Sequence, residues 1–160
     1  MKPLISTRIA ALDSSPLLLW LAGRADSLII ARFKHLAMYQ LDDYEVLDRL
    51  VRQFSALVTT PHILTEVSNH ARHLKGSLGT TLMNSFTSFS SDCAERFIAA
   101  EELSRQTEYR RFGITDSGLM SLGDAVTVIT TDFELAGVLR AKGSPVINFN
   151  SYREARFSGE

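Results

Sequence analysis

Short apolar runs alternate with helical patterns along most of this chain, and this alternation limits the fold more than any other feature of the sequence. The runs are only four to six residues long and rich in alanine and β-branched residues, as buried strands are. Strands separated by helical segments predict parallel pairing, because a parallel crossover needs a connection that a helix can supply. The sequence therefore predicts an α/β fold, a single-domain three-layer α/β/α arrangement with a central parallel sheet of about four to five strands. The expected strands are 8–12, 55–60, 126–130 and 146–149.

The segments between these runs carry helix signals. Residues 14–16 (Ser-Ser-Pro) predict a helix start, with serine as the N-cap and proline at the first helical position, and Gly23 predicts its end. Residues 41–54 place their apolar side chains on one face at helical spacing. The pattern between 27 and 40 does not decide between helix and irregular structure. Further helices are expected at 61–73, 79–90, 92–106 and 133–142, with a short one beginning near Asp116.

Length and charge set the domain organisation and exclude some partners. The chain has 160 residues, 45% of them apolar and 22% charged, which suits one globular domain with a core of its own. We expect this domain to span 1–150 and to be followed by a loose, polar C-terminal tail at 151–160. A net charge of −1 argues against a broad electrostatic grip on duplex DNA.

Three further features point to a cytoplasmic protein without a membrane partner. Cys93 is the only cysteine, so an internal disulfide is excluded and a reducing compartment is favoured. The apolar stretch at the start is interrupted by Ser6, Thr7 and Arg8, which makes it a poor signal peptide. The run PLLLWLAG is far shorter than the roughly 20 residues that a membrane span requires.

Four acidic residues occupy similar places relative to the expected strands. Asp13 and Asp132 directly follow strands, and Glu66 lies in the first turns of a helix that follows another strand. Asp116 begins a helix that leads into the next strand. The carboxyl ends of parallel strands line one edge of a sheet, and ligands bind in the crevice there. We therefore predict that the four carboxylates meet at this edge.

Grouped carboxylates indicate a particular chemistry. They repel one another, so grouping them without a cation costs stability. Hard oxygen ligands of this kind suit Mg²⁺ or Mn²⁺. Metal ions held in this way can activate water and stabilise the leaving oxygen in phosphodiester cleavage. The pattern is typical of a metal-dependent hydrolase.

Other interpretations of the same acids remain open. Each of them taken alone is also explained as a helix cap or as a first-turn acid. A non-catalytic α/β module that binds RNA or a protein, with a vestigial acidic site, is therefore the alternative. A receiver-type phosphoacceptor is disfavoured, because Asp13 stands alone at the first strand and Lys142 precedes the last one instead of following a late strand.

The segments that carry these acids resemble, in order, the four acidic motifs of PIN-domain nucleases. The resemblance extends from about residue 8 to residue 150. In that family an aspartate is followed by a small hydroxyl residue and a second polar residue, which Asp13, Ser14 and Ser15 match. The segments are IAALDSSPLLLWLAG, VTTPHILTEVSNH, GITDSGLM and VTVITTDFELAGVLRAKGSPVINFN.

The resemblance carries the family's site onto named residues of this chain. The helix-borne glutamate of the family falls on Glu66, its third acid on Asp116 and its fourth on Asp132. It implies Mg²⁺- or Mn²⁺-dependent cleavage of single-stranded RNA, with Asp13 completing the set of metal-binding and catalytic acids. Ser14 or Thr130 would orient a ligand or a carboxylate. Toxin-type members pair with antitoxins and often dimerise, so an antitoxin protein and a homodimer are partners that the resemblance raises.

Polar residues outside the motifs give weaker signals. Asn69 lies three residues after Glu66, so a helix would put both on one face, where Asn69 could support the site by binding a phosphate or a metal-bound water. An ordinary polar helix position is the favoured interpretation of Asn69. Basic residues after Glu66 and before Asp116 could contact the RNA backbone, or could simply be solvated surface. These are Arg72, Lys75, Arg110 and Arg111, with His70 and His73 on the same basic face as the first two.

Overall fold

The computed structural model describes residues 8–159, and the side chains of all of these except residues 156 and 157. Within this part of the chain, five strands form one sheet in which every pairing is parallel. Helices flank the sheet, which confirms the predicted α/β class and three-layer arrangement. The strands are β1 (Ile9–Leu12), β2 (Ala56–Thr59), β3 (Ala94–Glu95), β4 (Val126–Thr130) and β5 (Val146–Asn148).

Helices connect the strands, and the segment 27–40, which the sequence pattern left undecided, forms a short helix and a 3₁₀ turn. Among residues 8–159 we find no helical segment whose length and hydropathy would let it span a bilayer. The helices are α1 (Ser14–Ala25), α2 (Leu28–Arg32), α3 (Leu41–Val51), α4 (Pro61–Ala71), α5 (Gly76–Asp92), α6 (Ala100–Ser104), α7 (Tyr109–Met120), α8 (Phe133–Ala141) and α9 (Phe149–Phe157), and the 3₁₀ helix spans Lys34–Leu36.

The strand order places β1 at the centre of the sheet. The order is β3-β2-β1-β4-β5, so β1 pairs with β2 on one side and with β4 on the other. Ala10 and Ala11 of β1 are completely buried, in agreement with a strand that is covered on both faces. The chain first builds the sheet outward on the β2 side and then crosses to the β4 side. A reversal of this kind leaves a crevice at the carboxyl ends of β1 and β4.

Residues 16–22 of helix α1 are apolar on every side because the fold covers them on every side. It contacts β1 and β4 of the sheet and also α2, α3, α4 and α5. Leu17 and Leu19 are accordingly fully buried. A helical stretch without a polar face is stable here because residues 16–22 are all buried, while the exposed Arg24 lies in the last turn.

Two details of the prediction for α1 are wrong. Asp13, and not a serine, is the N-cap, and Pro16 occupies the third helical position. The helix also continues through Gly23 instead of ending there. A Cβ at Gly23 would approach the ring of Tyr44 to 2.2 Å, so the glycine permits close packing of α1 on α3.

The segment after α5 also differs from the prediction. We predicted helices at 79–90 and 92–106, whereas Ala94 and Glu95 join the edge of the sheet and the next helix begins only at Ala100. Val58 and Thr59 of β2 pair with these two residues. The edge of β2 offers unpaired N–H and C=O groups, and pairing with them outweighs a local helical pattern. Phe97 is left 84% exposed in the connection.

The expectation of a loose C-terminal tail is wrong for the described residues. Phe149–Phe157 form α9, which contacts α3, and Phe149 is completely buried. Arg153 of α9 forms a 2.9 Å ion pair with Asp43 of α3, and both side chains are largely buried. These two contacts hold α9 in place, although its polar composition predicted a loose tail. The outermost parts of the predicted domain and tail, residues 1–7 and Glu160, lie outside the described residues.

Candidate functional site

The structure places all four predicted acids in the lining of one cleft. The cleft has a volume of about 390 Å³ and lies at the carboxyl ends of β1 and β4, where the strand order reverses. Four segments that are far apart in the sequence meet here, because the parallel sheet directs each of them to the same edge. The lining residues are Asp13, Ser14, Ser15, Glu66, Phe112, Gly113, Ile114, Thr115, Asp116 and Asp132.

Asp13 is held in place through both of its carboxylate oxygens. Its Oδ1 accepts a 2.8 Å hydrogen bond from the backbone N–H of Ser14, and its Oδ2 accepts a 2.7 Å bond from the hydroxyl of Thr130. Burial raises the pKa of Asp13, and the charges of Glu66 and Asp132 raise it further, whereas the two hydrogen bonds lower it. The carboxylate is therefore fixed in orientation but is electrostatically disfavoured.

Glu66, in the second turn of α4, is clamped by hydroxyls from two other helices. Ser14 donates a 2.7 Å hydrogen bond to Oε1, and Thr115 donates a 2.5 Å bond to Oε2. Ser14 was predicted as a supporting residue, but Thr115 was not. The sequence could have identified Thr115 through its position directly before Asp116, because the two residues lie in the same helical turn at the cleft.

Asp132 serves as the N-cap of α8. Its Oδ1 accepts hydrogen bonds of 2.9 and 3.1 Å from the N–H groups of Glu134 and Leu135. Its own N–H donates a 3.0 Å bond to the Thr130 hydroxyl, which in turn donates to Asp13. For this residue the capping interpretation and the site interpretation are compatible, since Oδ2 has no hydrogen-bond partner among the described residues.

Asp116 differs from the other three acids. Gly113, with φ of 82°, interrupts α7, and helical geometry resumes at Ile114, so Asp116 lies in the first turn of the resumed helix. Its carboxylate accepts no hydrogen bond from residues 8–159. Burial, followed by the charges of Asp13, Asp132 and Glu66, raises the pKa of Asp116 to about 7. The ionised form of this group lacks a compensating partner.

The donor set suits a hard divalent cation, although the residues do not form a finished chelate. In the described part of the chain, no group of three or more His, Cys, Asp or Glu side chains is placed to hold one ion directly. Glu66 and Asp13 direct both of their oxygens to protein donors, as described above. Mg²⁺ commonly binds through one or two carboxylates and keeps several of its waters. Asp116, and the free Oδ2 of Asp132, fit that mode of binding.

The other predicted residues lie around the cleft and not in it. Asn69 is exposed on α4, and its side chain makes no hydrogen bond within residues 8–159. Arg72 and Lys75 lie beyond the far end of α4 and line a separate depression next to α5. Arg110 is exposed, and Arg111 lies 3.4 Å from the carboxylate of Glu134.

Fold and cleft together define the class of this molecule: an α/β protein with an acidic cleft at the carboxyl edge of a parallel sheet. No family model, curated protein or solved structure matches the chain. The assignment of a function therefore rests on the chemistry of the cleft and on the motif resemblance.

Proposed function

We propose that this chain is a Mg²⁺- or Mn²⁺-dependent endoribonuclease that cleaves single-stranded RNA by water attack on the phosphodiester. The observation that carries the proposal is Asp116, a half-buried carboxylate that accepts no hydrogen bond in the described chain and faces three other carboxylates. A group in this position is stabilised either by a proton or by a cation. A divalent cation satisfies it at neutral pH and also serves phosphodiester chemistry.

Helix capping explains only part of the acidic cleft. It accounts for Asp132 and, through the bond from Ser14 N–H, for part of the role of Asp13. It does not account for Glu66, whose partners are hydroxyls, or for Asp116, which accepts no hydrogen bond from residues 8–159. These two residues favour the nuclease over a binding module that retains acids only as caps.

The four acids divide into two pairs in the proposed site. Asp116 and Asp132 would hold the metal with oxygens that are free of protein donors, and Asp13 and Glu66 would bind it or its waters. The bound cation would lower the pKa of a water and stabilise the leaving oxygen. Thr130 keeps Asp13 in place and Ser14 keeps Glu66 in place, so neither carboxylate has to reorganise when the substrate arrives.

The choice of RNA follows from the resemblance to PIN-domain nucleases. The same resemblance leads us to propose a role as the toxin of a toxin–antitoxin pair, and the single cysteine leads us to propose a cytoplasmic location. An antitoxin protein would then be a partner, as would a second copy of the chain. Arg110 and Arg111, next to the cleft residue Phe112, are proposed to contact the RNA backbone.

A gel cleavage assay on a labelled, unstructured RNA tests the proposal. Wild type should cut in Mg²⁺ or Mn²⁺ and should not cut in EDTA. Asp13→Asn, Asp116→Asn and Glu66→Gln should each lose most of the activity.

Two matched controls accompany these variants and should be close to wild type. Asp124→Asn changes an exposed aspartate at the opposite end of β4, and Glu45→Gln changes an exposed glutamate of α3. Cleavage that is equal in wild type and in the site variants would mean a contaminant and would overturn the proposal. Metal-independent RNA binding without cleavage would instead support the binding module.

A further inference from the structure

Three histidine rings lie together on the surface beside the cleft. His35, from the 3₁₀ helix, has its ring centroid 4.7 Å from that of His70 and 5.4 Å from that of His73. The His35 and His73 rings are stacked, with 16° between their planes, and Phe33 supports His35 edge-on at 5.0 Å. We call the side chains of His35, His70 and His73 the imidazole surface. The sequence places His70 and His73 on one helix, but His35 joins them only through the tertiary fold.

The surroundings of the imidazole surface are cationic. Partial burial, followed by the charges of His70, His73 and Lys34, lowers the pKa of His35. No carboxylate is among the groups in the described chain that act on His35. Arg72, the C-cap residue of α4, adds a positive charge that none of the ion pairs within residues 8–159 neutralises.

The imidazole surface continues the face of α4 that enters the cleft. Glu66 and His70 follow the spacing i and i+4, which puts them on one side of α4, and His73 lies in the turn that follows the end of the helix at Ala71. From Glu66 to His70 the helix rises about 6 Å. That length corresponds to about two stacked nucleotides at roughly 3.4 Å each. A strand with one phosphate at the cleft can therefore reach the histidines.

We propose that the imidazole surface, with Lys34 and Arg72, binds the phosphates of the RNA segment that flanks the cleaved bond. The choice of RNA as the ligand rests on the proposed nuclease function. The positive charge that attracts phosphates is a property of the cluster itself. Crowded imidazoles resist protonation because each new charge meets its neighbours. A phosphate placed over them removes that penalty, so binding takes up protons.

Proton uptake gives this surface a signature that arginine and lysine contacts do not have. Imidazole side chains in general gain charge as the pH falls from about 8 to about 5, whereas lysine and arginine side chains stay charged over that range. Over the part of this range in which one additional proton is bound per complex, RNA affinity should therefore rise about tenfold for each unit by which the pH falls. Asp116 would also change charge in this interval, so the measurement needs the Asp116→Asn background.

The experiment measures the fluorescence anisotropy of a labelled, unstructured RNA with Asp116→Asn protein in EDTA. The affinity should increase on acidification, and His35→Gln with His73→Gln should remove most of that increase. His62→Gln is the matched control, because His62 is the remaining histidine of the chain and lies outside the imidazole surface. Thermal melting of each variant identifies any that fails to fold.

A second measurement follows the imidazole protons by NMR in the same background. RNA should raise the pKa of His35 and shift the ring resonances of His70 and His73, and it should leave the ring resonances of His62 in place. Equal affinity and equal pH dependence in the His35/His73 variant and its parent would overturn the proposal, as would a His35 pKa and ring resonances that RNA leaves unchanged. Both measurements report RNA binding, so their outcome is distinguishable from that of the cleavage assay. RNA can bind to the imidazole surface even if the chain proves not to be a nuclease.

Discussion

The hydroxyl of Thr130 donates a 2.7 Å hydrogen bond to Asp13 Oδ2, although the two residues are 117 positions apart in the sequence. The same hydroxyl oxygen accepts the N–H of Asp132 at 3.0 Å. One buried threonine thus links the ends of the two central strands and the two acids that follow them. Burial raises the pKa of the Asp13 carboxyl group, and the hydrogen bond from Thr130 lowers it.

Thr130→Val should weaken both folding and cleavage. Valine keeps the shape of threonine but leaves Asp13 Oδ2 and the Asp132 N–H without their partner, which should cost about 1–3 kcal/mol in the free energy of unfolding. The pKa of Asp13 should rise further, so the loss of activity should be greatest at low pH. Denaturant unfolding and a pH–rate profile measure the two effects. Thr127→Val on the same strand, whose hydroxyl makes no hydrogen bond in the described chain, should change neither.

Asp116 should make the metal-free protein less stable as the pH rises. The pKa of Asp116 is about 7 in the folded state against 3.8 for an unperturbed aspartate, so the folded state binds the extra proton between these values. The free energy of unfolding should therefore fall from about pH 4 to about pH 7, by about 1–2 kcal/mol after allowance for the partial exposure of the group. Asp116→Asn should flatten this slope and stabilise the protein at neutral pH. A variant that is less stable than wild type at neutral pH without metal would contradict the electrostatic account.

Mn²⁺ should raise the melting temperature more at about pH 8 than at about pH 5.5, because the cation must displace the Asp116 proton at the lower pH. The Asp116→Asn variant should lose most of the shift at the higher pH, whereas Asp124→Asn should retain it. Differential scanning fluorimetry with Mn²⁺ titrated at both pH values makes the comparison. An equal shift in all three proteins would place the cation elsewhere.

Two substitutions of Asp132 separate its capping role from its proposed metal-binding role. Asn retains the side-chain oxygen that accepts from Glu134 and Leu135, so Asp132→Asn should keep the stability of α8. Asp132→Ala removes the cap and should cost about 1 kcal/mol. Both should lose cleavage, because both remove a ligand charge. If Asn retains full activity, the residue is a cap alone.

Sequence periodicity predicted an element well where it is buried along its whole length. It predicted an element poorly where a few contacts with other elements hold it in place. Runs such as β1 and β4 are apolar because the sheet covers both faces, and that pattern is visible without a structure. The two residues of β3 are too few to show a period, and they pair because the edge of β2 is free. Helix α9 was missed for a related reason: its anchors, Phe149 and Arg153, are separated by polar residues and find their partners on other elements.

The sequence by itself determined the fold class and the position of each acid directly after a strand or in the early turns of a helical segment, because both depend on local patterns of apolar residues and caps. The tertiary structure decided which of these acids have partners. Thr130 and Thr115 became hydrogen-bond donors to the cleft, Asp116 was left without one in the described chain, and His35 was brought against α4. Contacts of this kind depend on strand order and helix packing, which bring residues tens of positions apart to within a hydrogen bond, and no local pattern records them.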